Sequence, residues 1–151
     1  MSSRARALID GAEVLVGGTR HLAMIDEDGR ERIAWRAPLL DVVSDIKALK
    51  GRLVCVLATG DPMFFGVGVT LVRHVPLKEM TIVPAPSAFS LVCARLGWPM
   101  AEVETMSLHA RPLELLNAHL QPGARLLLLS EDGKTPGSLA KALTAGGFGE
   151  S

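Results

Sequence analysis

No sign of charge dominates this chain: 16 Lys and Arg residues balance 16 Asp and Glu residues over a length of 151. Such a balance creates no global field to attract nucleic acid or an anionic membrane, although a few local arginines suffice for an anionic ligand. Cysteine is scarce as well. Cys55 lies in an apolar strand-like run and Cys93 in an apolar helix-like run, which reads as two free buried thiols in a reducing compartment. No apolar segment approaches the roughly 20 residues that span a bilayer, and the polar opening "MSSRARALIDG" has no signal-peptide core. A cytoplasmic protein is expected. Metal-ligand clusters are missing too, and so is any nucleophile–base–acid set. The four histidines, His21, His74, His109 and His119, are scattered, and no catalytic residue is assigned.

What the chain does have is core. A composition of 48% hydrophobic and 21% charged residues suits a globular protein, and the length fits one domain or two small lobes. Helical and strand patterns alternate. "SRARALIDG" reads as a helix ended by Gly11, "EVLVGG" as a short strand, "TRHLAMI" as one or two helical turns, and "DEDGR" as a turn. In "PLLDVVSDIKALKG", Leu39, Val42, Val43, Ile46 and Leu49 fall at helical spacing between Pro38 and Gly51. "RLVCVLA" predicts a strand covered on both faces. A helix from about Pro62 to Arg73, a strand "MTIVPA" and a helix "SAFSLVCARLG" follow. Then come a strand "TMSLH", a helix from about Arg111 to Leu120, a strand "ARLLLLS" and a helix "PGSLAKALTAGG". This order predicts an α/β fold of mostly parallel sheet with helices on its faces. A parallel sheet usually opens on a strand, whereas this chain opens on a helix and stops after one, so a piece truncated at both ends is expected.

Ligands of open parallel sheets sit outside the carboxyl ends of the strands. "ATGDPMFFG", Ala58 to Gly66, falls at such an end. Two readings stand side by side. Asp61 before Pro62 matches an N-cap and a first helical position, while Gly60 permits close approach of another molecule to the backbone. "IVPAPSAFS" has the same placement, with Ser87 either a helix cap or part of a cleft. "SEDGKTPGS" contains Gly-Lys-Thr without the glycine spacing of a phosphate loop.

Taken in order, "VLVGGTRHL", "LATGDPMFFGVG", "VPAPSAFSLVCARLGWP" and "SLHARP" resemble the tetrapyrrole (corrin/porphyrin) methylases that use S-adenosylmethionine, over nearly the whole chain. Within that family they are most similar to the branch that methylates C5 of a precorrin-6Y-type ring in cobalamin synthesis. The resemblance implies two small α/β lobes, residues 1–104 and 105–151, meeting near Val103 to Ser107 with the cofactor folded between them. It also implies a homodimer, and a separate unit for the C15-methylating, decarboxylating step. By motif, Thr59, Gly60, Asp61, Phe64, Ser87, Ala88, Leu129 and Ser130 would contact S-adenosylmethionine or its product S-adenosylhomocysteine. Gly17, Gly18, Arg20, His109 and Arg111 would serve a carboxylate-rich precorrin. Bidentate arginines suit such carboxylates, though ordinary solvated arginines fit the sequence equally, and Gly17-Gly18 fits a tight turn as well as a close approach. The family's first strand, with its "G-x-G-P-G"-like loop, and the strands after the last helix have no counterpart here. An inactive binding or dimerisation remnant, and a methylase of another tetrapyrrole, are the alternatives.

Overall fold

Three apolar residues decide where the first core forms. In the computed structural model, which describes residues 1–150, Val14, Leu15 and Val16 are each 0% exposed. They lie on β1 (Val14–Gly17), which runs between β2 (Glu31–Ala34) and β3 (Val54–Val56) in a parallel sheet of order β2-β1-β3. Val14 stands opposite Glu31 and Val54, and Val16 opposite Ile33 and Val56. Side chains alternate across a strand, so β1 serves two cores. Leu15 joins Ile9 of α1 (Ser3–Asp10), Ala12 of the link that follows it and Leu22 of α2 (Thr19–Leu22) on one face. Val14 and Val16 pack on the other face against Val42, Ile46 and Leu49 of α3 (Leu39–Ala48) and its end. Burying each of these aliphatic side chains contributes about 1.5–3 kcal/mol.

Strand β2 has no counterpart in the sequence reading, which passes from the "DEDGR" turn straight to α3. Its charges hide it. Arg32 sends its guanidinium to the carbonyls of Leu22, Ile25 and Asp26, and Glu31 pairs with Arg52 at 2.6 Å. Arg30, just before the strand, donates to the carbonyls of Ile9 and Ala12 at the end of α1. These arginines act as staples between β2 and the helix ends, satisfying carbonyls that a helix terminus leaves open.

Four further expectations are corrected. β3 is an edge strand, half-buried, and the strand covered on both faces is β1 instead. The cause is that residues 81–87 run without a ladder. Pro84 and Pro86 remove alternate N–H donors, so "MTIVPA" cannot extend the sheet as a strand. The helix expected from Pro62 is confined to α4 (Gly68–Leu71). Phe65 takes a left-handed φ of 54°, which no helix accommodates, and residues 62–67 form turns. Residues 111–120 give only a 3-10 segment, Leu113–Ala118, because a stretch this short after Pro112 gains few α-helical bonds.

Contacts divide the chain into two compact units, Met1–Ser87 and the part beginning at Ala88. In the second, α5 (Ala88–Leu96) buries Phe89 and Cys93. It is followed by β4 (Glu104–Ser107) and β5 (Leu126–Leu129), paired in parallel with Glu104 opposite Leu126 and Ser107 opposite Leu129, and by α6 (Thr135–Ala145). Arg125 lies 5.4 Å over the Trp98 ring and pairs with Glu102 at 2.9 Å. Among the described residues no helix is long and apolar enough to cross a membrane.

Candidate functional site

The carboxyl ends of β1 and β3 are held side by side by the backbone ladder, which ends with Leu57 N–H donating to Val16 O at 2.7 Å. Two loops leave the sheet here. The first passes through Gly17 and Gly18 into α2. A Cβ on Gly17 would come within 3.1 Å of Leu57 Cβ, so the missing side chain is what lets the two strand ends close. Gly18 opens α2, and on the side where it would carry a Cβ it faces His21 Nδ1 at 3.3 Å. The second loop runs from Thr59. Gly60 adopts a φ of 62°, the left-handed region that favours glycine. Asp61 Oδ1 then accepts from Met63 N–H at 2.8 Å. Asp61 therefore closes an Asx turn rather than capping a helix at Pro62. Phe64 stacks obliquely on Phe65, with ring centroids 4.9 Å apart.

One side-chain contact ties the loops together: His21 Nε2 and Thr59 Oγ1 lie 2.6 Å apart. His21 is half-buried, and its Nδ1 is a buried atom with no hydrogen-bond partner. Gly17, Gly18 and Thr59, which the sequence placed in two different roles, are thus neighbours at one end of the sheet, with Gly60 and Asp61 following directly. His21 was not among the candidate site residues. Its position inside "VLVGGTRHL" was the available signal, and a lone histidine in a motif does not reveal a partner 38 residues away. Arg20, its neighbour on α2, is exposed and makes no hydrogen bond or ion pair among the described residues. Ser87 is buried and immediately precedes α5. Both cysteines are free, but only Cys93 is buried as expected; Cys55 is half-buried because β3 is an edge strand, and this partial burial pushes its thiol above the ordinary pKa.

The second unit repeats the pattern at its own strand ends. Leu108 N–H donates to Leu129 O at 2.9 Å, and His109 N–H to Ser107 Oγ at 3.3 Å. Ala110, at a φ of 52°, turns its N–H toward Glu131 Oε1 at 3.3 Å. Ala88, His109, Arg111 and Ser130 are exposed, and Leu129 is half-buried. The Gly-Lys-Thr of "SEDGKTPGS" has a local purpose. Asp132 Oδ1 accepts from the N–H groups of Lys134 and Thr135 and from the Thr135 hydroxyl, at 2.9–3.0 Å, and these bonds hold its carboxyl below the usual range.

A family model described as Tetrapyrrole (Corrin/Porphyrin) Methylases matches residues 1–150. The chain belongs to the tetrapyrrole methylase family. It is 45% identical to a precorrin-6Y C(5,15)-methyltransferase [decarboxylating] from Sinorhizobium sp, covering all of this chain but 37% of that protein. It is 33% identical to the cobalt-precorrin-7 C(5)-methyltransferase of Salmonella typhimurium, covering 99% of this chain and 73% of that one. The chain thus spans well under half the length of the first of these relatives. Among solved structures, the cobalamin biosynthesis precorrin-6Y methylase CbiE from Archaeoglobus fulgidus is similar with a TM-score of 0.60 and 32% identity, over 85% of this chain and 65% of that one. The methyltransferase CobJ shares the fold, with a TM-score of 0.75 at 20% identity. The α/β architecture of small parallel sheets flanked by helices is the fold of these methylases, and the two curated relatives are named as a precorrin and a cobalt-precorrin methyltransferase.

Proposed function

We propose that this chain is the C5-methylating part of an S-adenosylmethionine-dependent methyltransferase that acts on a precorrin-6Y-type ring in cobalamin biosynthesis. The observation that carries the reading is the His21–Thr59 contact, which gathers family motifs from two loops at one sheet end. The residues there fit such a cofactor. Thr59 is exposed at the strand end, with its hydroxyl 2.6 Å from His21 Nε2, and Gly60 carries no side chain to hinder approach to the backbone.

Thr59, Gly60, Asp61, Phe64 and Ser87 are proposed to hold the cofactor. For Ala88, Leu129 and Ser130 the same proposal rests on the sequence motifs alone. When bound, S-adenosylmethionine supplies an electrophilic methyl group on a sulfonium whose departure leaves a neutral thioether. The protein's part is therefore alignment and exclusion of water rather than acid–base work. The unpaired Arg20 and Arg111 are proposed to receive ring carboxylates, with Gly17, Gly18 and His109 beside the macrocycle. We further propose a cytoplasmic homodimer served by a separate C15-methylating, decarboxylating unit.

Calorimetric titration of S-adenosylhomocysteine into the purified chain, beside an Asp61→Ala variant, tests the reading. Saturable binding that the substitution weakens by about tenfold supports it, since the variant loses the turn that shapes the Thr59–Phe64 loop. A folded sample that takes up no ligand removes the activity from this chain and favours the remnant.

A further inference from the structure

The His21 ring has two nitrogens in different surroundings, and the difference fixes its hydrogen. Nε2 has the Thr59 hydroxyl at 2.6 Å. Nδ1 is buried and finds no acceptor, facing instead the C–H side of Gly18 at the 3.3 Å where a Cβ would stand. A neutral imidazole carries one N–H. Placed on Nδ1, that N–H would be buried with nothing to receive it, a costly arrangement for a donor. Placed on Nε2, it is satisfied by Thr59 Oγ1, and only a bare lone pair faces Gly18.

The hydroxyl then has one course left. Its oxygen accepts from His21, so its own hydrogen cannot also lie along that line and must turn elsewhere. Thr59 is exposed at the strand end, and no other protein acceptor of its hydroxyl exists among the described residues. We propose that His21 is a positioning residue: its Nε2–H fixes the Thr59 hydroxyl as a donor aimed at an acceptor oxygen of the bound S-adenosyl ligand. This inference rests on the assignment of the β3–α4 loop to that ligand. Without His21 the hydroxyl rotates freely and donates to water for most of the time. A serine or threonine alone cannot set its own rotor; a half-buried imidazole hydrogen-bonded to it can.

Two measurements on the full chain separate the parts. First, long-range nitrogen–proton correlation spectra of the unliganded protein read the tautomer of His21 directly. A proton on Nε2 is expected, and a proton on Nδ1 overturns the proposal. Second, S-adenosylhomocysteine is titrated into the wild type, His21→Leu, His21→Gln, Thr59→Val and the double variant His21→Leu/Thr59→Val. Each of His21→Leu and Thr59→Val is expected to weaken binding about fivefold, the scale of one neutral hydrogen bond. The double variant should bind no worse than Thr59→Val, because His21 acts through that hydroxyl. His21→Gln, whose amide N–H reaches the place of Nε2, should recover affinity to within about twofold. Additive losses, or a His21→Leu variant that binds as the wild type does, overturn the proposal. If His21→Leu melts early, His21→Gln and the ring spectrum still decide it. A wild type that binds nothing sinks the S-adenosyl reading itself, and the ring spectrum then reports separately on the His21–Thr59 geometry.

Discussion

The carbonyl oxygen of Pro62 stands where a side chain on Gly66 would begin, 2.6 Å from the ideal Cβ position, with Asp61 O at 2.9 Å. Gly68 meets the same carbonyl at 2.6 Å. Both glycines of "MFFGVG" thus serve the folding of the loop back onto its own first turn.

Gly66→Ala and Gly68→Ala should each destabilise the first unit by about 1–3 kcal/mol, the usual cost of forcing an atom into occupied space. The contacts are backbone atoms, which cannot swing aside as a flexible side chain would. Gly137→Ala is the contrast. It lies in the first turn of α6 with nothing within 4 Å of its Cβ position, so it should be neutral or gain about 0.5 kcal/mol. Thermal melts of the three variants check the ordering, and equal midpoints for Gly66→Ala and wild type would refute the close packing.

Arg32→Lys should destabilise by about 2 kcal/mol, although it conserves charge. The guanidinium reaches the carbonyls of Leu22, Ile25 and Asp26 at once, from a side chain only 14% exposed. An ammonium presents donors from a single atom and cannot span all three. The remaining Nε lies 3.6 Å from Glu27 Oε2, an ion-pair distance too long for a hydrogen bond. Glu27→Gln should therefore change stability little in chemical denaturation, where Arg32→Lys changes it plainly.

Asp28 gives a pH dependence of known sign. The Arg30 guanidinium, and then the Arg30 backbone N–H, hold its carboxyl down from 3.8 to about 2. A carboxyl with a lowered folded value stabilises the fold above its unfolded value and loses that contribution as pH falls through the folded one. The gap in melting temperature between wild type and Asp28→Asn should be constant from neutral pH to about 5. It should then narrow between about 4 and 2. A gap that does not depend on pH would show that the charge of Asp28 is irrelevant. Asp28 is solvent-exposed, so added salt should shrink the gap as well.

Legibility from sequence followed the apolar pattern and failed where polar or conformational detail decided. The helices α1, α3, α5 and α6, and strands β1, β4 and β5, stand where apolar spacing and bounding glycines put them. β2 was hidden because Glu31 and Arg32 spend their charge on Arg52 and on helix-end carbonyls, which no periodicity reveals. The helix expected at Pro62 failed on the left-handed Phe65, and the strand before Ser87 on two prolines that deny it a ladder. At the candidate site, the loops were legible as strand-end turns. The contact that joins them was not, because it depends on strands β1 and β3 being direct neighbours in the sheet.

The loop that carries Gly-Lys-Thr leads directly into α6. Thr135 donates its hydroxyl to Asp132 while its Oγ1 accepts from the N–H groups of Glu131 and Asp132, at 3.2 Å each. Asp132 in turn takes the N–H groups of Lys134 and Thr135. The Thr135 hydroxyl and Asp132 Oδ1 are thus both occupied in starting α6. Thr135→Val should lower stability by about 1 kcal/mol through loss of the cap-like bonds. Asp132→Asn should cost less at neutral pH, because the amide oxygen still accepts, and the difference between the two forms should fade as pH falls through the Asp132 titration. Neither substitution should alter affinity for S-adenosylhomocysteine or create a response to ATP. Melting curves and titrations of the same samples check both statements, and nucleotide binding abolished by Thr135→Val would reverse the structural account of this turn.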